Sequence, residues 1–187
     1  MRIAVVTGNP KPASRTHGVA LAVASTLRAA LVSSARSAPK VPSSATPGVP
    51  APLVVDLAEH APALFDSSDT ELTRLTAEVA AADVAIFASP TYKAAYSGML
   101  KAFLDRYGGS GLAGTVAVPV MTGGWPGHLL AVEVHLRPVL VELGATVPAR
   151  GLYITERDIS APDAAIAKWA ETAVPLIRHA LTPAPCP

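Results

Sequence analysis

Five times along this 187-residue chain a short, β-branched apolar run gives way to a segment of helical spacing, and few folds accommodate that alternation. The runs are 2–7, 53–57, 84–88, 115–121 and 152–155. The helical segments are about 14–33, a stretch marked by Leu72, Leu75 and Val79, a stretch marked by Leu100, Phe103, Leu104 and Tyr107, about 127–143, and 163–181. Each helix repeats apolar residues three or four positions apart and so has one face to bury. Apolar strands separated by such helices belong in a parallel sheet covered on both faces; for five strands the commonest order is 2-1-3-4-5. Ligands then bind beyond the C-terminal ends of the strands. That rule singles out three loops, residues 8–16, 89–97 and 122–128.

Local signals mark the element ends. Ser14 or Thr16 can cap the first helix and Ser97 the third, with Gly108 and Gly109 ending the third and Gly144 the fourth. Pro119, inside the fourth strand, asks for a bulge or a lost ladder bond. Pro138 falls inside the fourth helix, where its ring collides with the carbonyl of Val134. Either a kink or single π-turn relieves that clash, or the helix bends around the core.

The length fits one domain, 1–182, with a tail at 183–187. Within it, residues 33–52 carry prolines at 39, 42, 47, 50 and 52 among Ser, Thr and Gly, and read as a long mobile loop. Half the residues are apolar, but no run approaches the roughly 18 residues of a membrane span, and the apolar run after Met1 is too short for a signal peptide. A soluble, cytoplasmic protein is expected. Its single cysteine, Cys186, excludes an internal disulfide. A net charge of +1, with charges dispersed, argues against nucleic acid as a partner. The histidines at 17, 60, 128, 135 and 179 have no ligand spacing, so no metal site is expected, and there is no G-x-S-x-G nucleophile elbow.

The three loops carry specific chemistry. In the first, Ser14 and Thr16 hydroxyls, the Arg15 guanidinium and amides at a helix N-terminus can all donate to one phosphate, although neither GxGxxG nor GxxxxGK[ST] is present. Helix capping and a solvated arginine would use the same residues. In the second, amides beside Pro90 and Thr91 could meet the polar edge of a planar heterocycle, with Tyr92 or Tyr96 as an aromatic wall; Tyr96 alone reads better as core. In the third, Gly123 and Gly124 let backbone approach a ligand closely.

Taken together these loops resemble the NADPH-dependent FMN reductases, and most of all the FMN reductase of two-component alkanesulfonate monooxygenase systems. Three blocks carry the resemblance. They are G-[SN]-P-x-x-x-S-R-[ST] at 8–16, P-x-Y-K-A-[AS]-[YF]-S-G-x-L-K at 90–101, and T-G-G-x-x-x-H-L-L-A-V-[DE] at 122–133. The resemblance implies a flavodoxin-like three-layer α/β sandwich in which Ser14, Arg15 and Thr16 hold the FMN phosphate. It further implies that Pro90, Thr91, Tyr92 and Lys93 line the flavin ring and that Thr122, Gly123 and Gly124 meet its far edge. The alkanesulfonate-type reductases carry an inserted tyrosine where this chain has Val134.

The implied activity is reduction of FMN by NADPH or NADH, supplying a partner flavin-dependent monooxygenase. Because hydride passes between cofactors, no side chain is nominated as a catalytic acid or base. A homodimer or homotetramer is implied too, with Tyr96, Leu100, Leu129 and Leu136 offering apolar surface from the third and fourth helices. Two other readings are a quinone, azo or metal-ion reductase that keeps FMN tightly bound, and a non-catalytic electron carrier.

Overall fold

The computed structural model describes residues 1–35 and 50–182, with the side chains of 33–35 excepted. Most of the expected Pro-rich loop and the tail at 183–187 therefore lie outside the described residues. The elements are β1 (Ile3–Thr7), α1 (Arg15–Ala35), β2 (Leu53–Asp56), α2 (Thr70–Ala80), β3 (Val84–Pro90), α3 (Gly98–Leu104), β4 (Val116–Gly123), α4 (Arg137–Glu142), β5 (Leu152–Thr155) and α5 (Asp163–Leu181). All strand pairs are parallel and the order is β2-β1-β3-β4-β5, as expected.

Side-chain alternation along the strands separates two cores. Ala4, Val6, Ala85, Phe87 and Met121 point to one face, where α2, α3 and α4 cover them with Leu72, Val79, Phe103 and Leu140. Ile3, Val5, Ile86 and Val118 point to the other, under Val23 and Leu27 of α1 and Val174 and Ile177 of α5. Layers of helix, sheet and helix result. No helix of the described residues is long and apolar enough to cross a membrane.

Several boundaries differ from the expectation. Helix α1 runs on to Ala35, into the segment expected to be loop from residue 33. Helix α3 stops at Leu104 rather than beyond Tyr107. In the turn that follows, Tyr107 sets its ring edge-on to Phe103 at 5.8 Å and its hydroxyl donates to the Thr76 carbonyl at 3.1 Å, contacts that tie α3 to α2. Strands β3 and β4 stay in register from Val84↔Val116 to Pro90↔Thr122, so Pro119 causes no bulge. Its neighbour on the β5 side is a gap: Ala117 donates to Thr146, and pairing with β5 begins only at Val120, so no ladder donor is needed at residue 119.

The expected fourth helix is three pieces: a 3-10 turn (Pro126–His128), a π-helix (Val132–Leu136) and α4. The Arg137 amide donates to the Val132 carbonyl five residues back, and Pro138 stands in the first turn of α4, where a missing N–H does no harm. The irregularity is thus a π-turn, with Val134 at its centre and 56% exposed. Leu100 and Leu136, expected to offer surface to another subunit, are fully buried in their own chain, and Tyr96 packs against the same core.

Contact between the first loop and α3 fixes the heart of the fold. The Gly8 amide donates to Ala88 at 2.8 Å, Ser97 Oγ donates to the Gly8 carbonyl, and the same oxygen caps α3 by accepting from the Leu100 amide at 3.1 Å. A Cβ on Gly8 would stand 2.4 Å from Leu100 Cβ and 2.9 Å from its Cα. Gly8→Ala is therefore expected to destabilise the protein by about 1–3 kcal/mol in urea unfolding. Gly18→Ala, in α1 with open space around it, is expected to stabilise by about 0.5–1 kcal/mol.

Candidate functional site

Beyond the C-terminal ends of β1, β3, β4 and β5 the structure forms a cavity of about 310 Å³. That is the lower end of the roughly 300–1,000 Å³ usual for small-molecule sites. Nine of the ten residues singled out in the sequence line it: Ser14, Arg15, Thr16, Pro90, Thr91, Tyr92, Thr122, Gly123 and Gly124. Lys93 does not. It occupies a two-residue turn in which Tyr92 and Ala95 exchange backbone hydrogen bonds of 2.8 and 3.0 Å, with φ of 50° at Lys93 and 63° at Ala94. Its chain direction is set by that reversal, which carries it past the lining.

The first loop is held from below by Asp56. One carboxylate oxygen accepts from the Ala13 amide at 2.9 Å, stabilising the left-handed backbone of Ala13 (φ 47°), and the other accepts from Ala58 at 3.3 Å. Turning the chain at Ala13 points the N-terminus of α1 into the cavity. Ser14 Oγ accepts from the His17 amide at 3.2 Å, which leaves its hydroxyl proton free to donate. By helix geometry the amides of Arg15 and Thr16 have no partner within α1. Thr16, by contrast, is buried, and its hydroxyl is committed to Thr122 Oγ1 at 2.7 Å and Asn9 Nδ2 at 3.3 Å. It ties the first loop to β4.

Pro90, Thr122 and Gly123 belong to strand ends rather than to loops, because the β3–β4 register continues to Pro90↔Thr122 and the Thr91 amide donates to the Thr122 carbonyl at 2.7 Å. Gly123 makes room for its neighbours: a Cβ there would lie 2.1 Å from the Tyr153 hydroxyl and 3.0 Å from Thr91 Oγ1, so Tyr153 would have to move. Tyr153 braces both loops, accepting from Thr91 Oγ1 at 3.5 Å and donating to the Trp125 carbonyl at 3.4 Å. Near the cavity but outside its lining, burial pushes the Tyr96 hydroxyl above its ordinary pKa.

Four lining residues were not nominated from the sequence: Asn9, Lys11, Glu156 and Ile159. The first two lie within the first loop. Glu156 and Ile159 follow β5, and applying the strand-end rule to the fifth strand as well as to the first, third and fourth would have found them. Glu156 Oε1 accepts from Arg15 Nη2 at 2.6 Å. Among the described residues no group of three His, Cys, Asp or Glu side chains could hold a metal ion.

The NADPH-dependent FMN reductase family matches residues 1–158. A protein of Escherichia coli (strain K12) named FMN reductase (NADPH) is 42% identical over 97 residues, 52% of this chain and 50% of that protein. The chain thus spans about half the length of that relative. NADH-dependent FMN reductase SfnF of Pseudomonas putida is 28% identical over 158 residues, covering 82% of this chain and 76% of that one. Among solved structures, the apo form of the NADH:FMN oxidoreductase EMOB superposes with a TM-score of 0.75 at 28% identity, covering 98% of this chain and 91% of that chain.

Because Asp56 is buried and satisfies two amides at the base of the site, Asp56→Ala leaves both without their partner. It is expected to lower stability by about 1–3 kcal/mol in urea unfolding and to speed hydrogen exchange at the Ala13 amide.

Proposed function

The chain belongs to the NADPH-dependent FMN reductase family, and from that premise we propose that it is a cytoplasmic oxidoreductase that reduces FMN with NADPH or NADH and delivers the reduced flavin to a partner flavin-dependent monooxygenase. The observation that carries this reading is one cavity joining the N-terminus of α1 to the ends of β3 and β4. Its donor set fits FMN. Ser14, Arg15 and the first amides of α1 form an anion site suited to the phosphate. Thr91, Tyr92 and the side-chain-free edge at Gly123 and Gly124 suit the flavin ring, with Tyr92, half exposed, offering an aromatic face.

Bound there, FMN would supply the acceptor for hydride leaving the nicotinamide ring. The chain's residues do the positioning. Arg15 and Ser14 would anchor one end of the flavin, and the 89–97 and 122–128 loops would fix the plane of the other. Holding two reactants in register in this way removes much of the entropic barrier to their meeting, so no acid or base is required of the protein. Delivery to a monooxygenase is supported by the three sequence blocks shared with the reductases of alkanesulfonate systems. NAD(P)H oxidation that requires added FMN and saturates with it, in protein that purifies colourless, is the expected result. Oxidation without added flavin by a yellow protein would favour a reductase with tightly held FMN, and no oxidation in folded protein would refute the reading.

Self-association belongs to the same proposal. Exposed apolar residues gather along the segment after β4: Trp125, Leu129, Leu130, Val134 and Val141. Leu130 and Val134, one α-helical turn apart, point outward together ahead of the wide turn, and Val141 is exposed beyond it. A dimer or tetramer is expected by light scattering at micromolar concentration, and Val134→Glu is expected to shift it toward monomer.

A further inference from the structure

One charged residue of the cavity lies outside all three sequence blocks. Glu156 is the acidic residue among those lining the cavity, where the other charged groups are Lys11 and Arg15. Its backbone is placed by the sheet, since the Glu156 amide donates to the Gly123 carbonyl at 2.9 Å and so extends the β4–β5 pairing by a residue. Its carboxylate reaches Arg15 on the opposite loop. Oε1 takes Arg15 Nη2 at 2.6 Å, and Oε2 lies 3.1 Å from where a Cβ on Gly124 would stand.

We infer that Glu156 competes with the FMN phosphate for Arg15, and thereby makes FMN an exchangeable substrate rather than a tightly held prosthetic group. The inference rests on the flavin reading above and sharpens it. Three observations carry it. First, Arg15 is the first residue of α1, beside the Ser14 hydroxyl and the free amides that form the anion site, so a phosphate seated there must share or displace the carboxylate. Second, both partners are more than half exposed (65% and 57%), so the pair itself is weak and water-accessible and can open without disturbing the fold. Third, a phosphate monoester carries nearly two negative charges, and a carboxylate within reach of the same guanidinium repels it. Binding gains the α1 donors and loses part of the Arg15 contact, which leaves an affinity low enough for release.

The effect must be specific to the phosphate. Riboflavin has the same ring and lacks that group, so it reports on the ring site alone. Fluorescence titration of the full-length protein with each flavin, at low and at high salt, tests this directly. Glu156→Gln and Glu156→Ala are expected to tighten FMN about three- to tenfold while leaving riboflavin within about twofold, and the gain should shrink as salt rises. On an Arg15→Ala background, where FMN is already weakened, the same substitutions should give less than half that gain. Equal changes for both flavins, or none for FMN, would overturn the competition while leaving the flavin site standing. Wild-type protein that binds neither flavin would remove the flavin reading itself, and this inference with it.

Discussion

Everything at the ligand edge depends on how closely α3 approaches the first loop. With no side chain at Gly8, the backbone of Leu100 can lie where a Cβ would be. Ser97 then serves both partners, donating to the Gly8 carbonyl and accepting from the Leu100 amide, while the Gly8 amide reaches across to Ala88 on β3. The loops after the first and third strands are thereby locked at the point where the sheet order reverses. A crevice opens there because consecutive connections leave on opposite faces of the sheet, and the three hydrogen bonds hold two of the segments that flank it.

A second set of contacts governs the far side. Within the π-helix, Glu133 Oε1 accepts from the Gly151 amide at 2.6 Å; just after it, Arg137 donates to the carbonyls of Ala149 at 3.0 Å and Val147 at 2.6 Å. These charged groups hold the segment that leads into β5. A regular α-helix would rotate the residues after the π-turn by about 100° per residue of slippage, and Arg137 would no longer face those carbonyls. The wide turn therefore does more than relieve Pro138. It lets Glu133 and Arg137, four residues apart, grip the same approach to β5 while Val134 between them faces outward.

Much of this was legible in the sequence. Strand order, the five helices and the three loops follow from periodicity and from the strand-end rule, because apolar strands must be buried on both faces. A disturbance at Val134 was legible too, since a proline in a helix interior leaves only a few remedies. What could not be read were the terms set by contacts distant in sequence. Tyr107, past the end of α3, is tied to Thr76, 31 positions away, and Pro119 needs no bulge because of where β5 begins. Leu100 and Leu136 have the spacing of an outward stripe and the burial of core, because they pack with Phe87 and Met121 of the sheet, a contact that periodicity does not reveal. The place of Glu156 beyond β5 was open to the strand-end rule, but its pairing with Arg15, 141 positions away, was not.

The polar groups of the first loop divide by what the fold already asks of them. Asn9 closes on Lys11 and Thr16, and Thr16 closes on Thr122, so these buried groups serve to shape the loop. Ser14 keeps a donor proton, and among the described residues Arg15 pairs with an exposed carboxylate. Buried hydrogen bonds are worth most where water cannot compete, and exposed ion pairs are worth little. The loop is thus rigid in the groups that set its form and permissive in the groups that face the cavity. A rigid cradle with loosely engaged donors is suited to ordering an anionic ligand without a large rearrangement of the protein, and the same looseness would leave little to hold such a ligand afterwards.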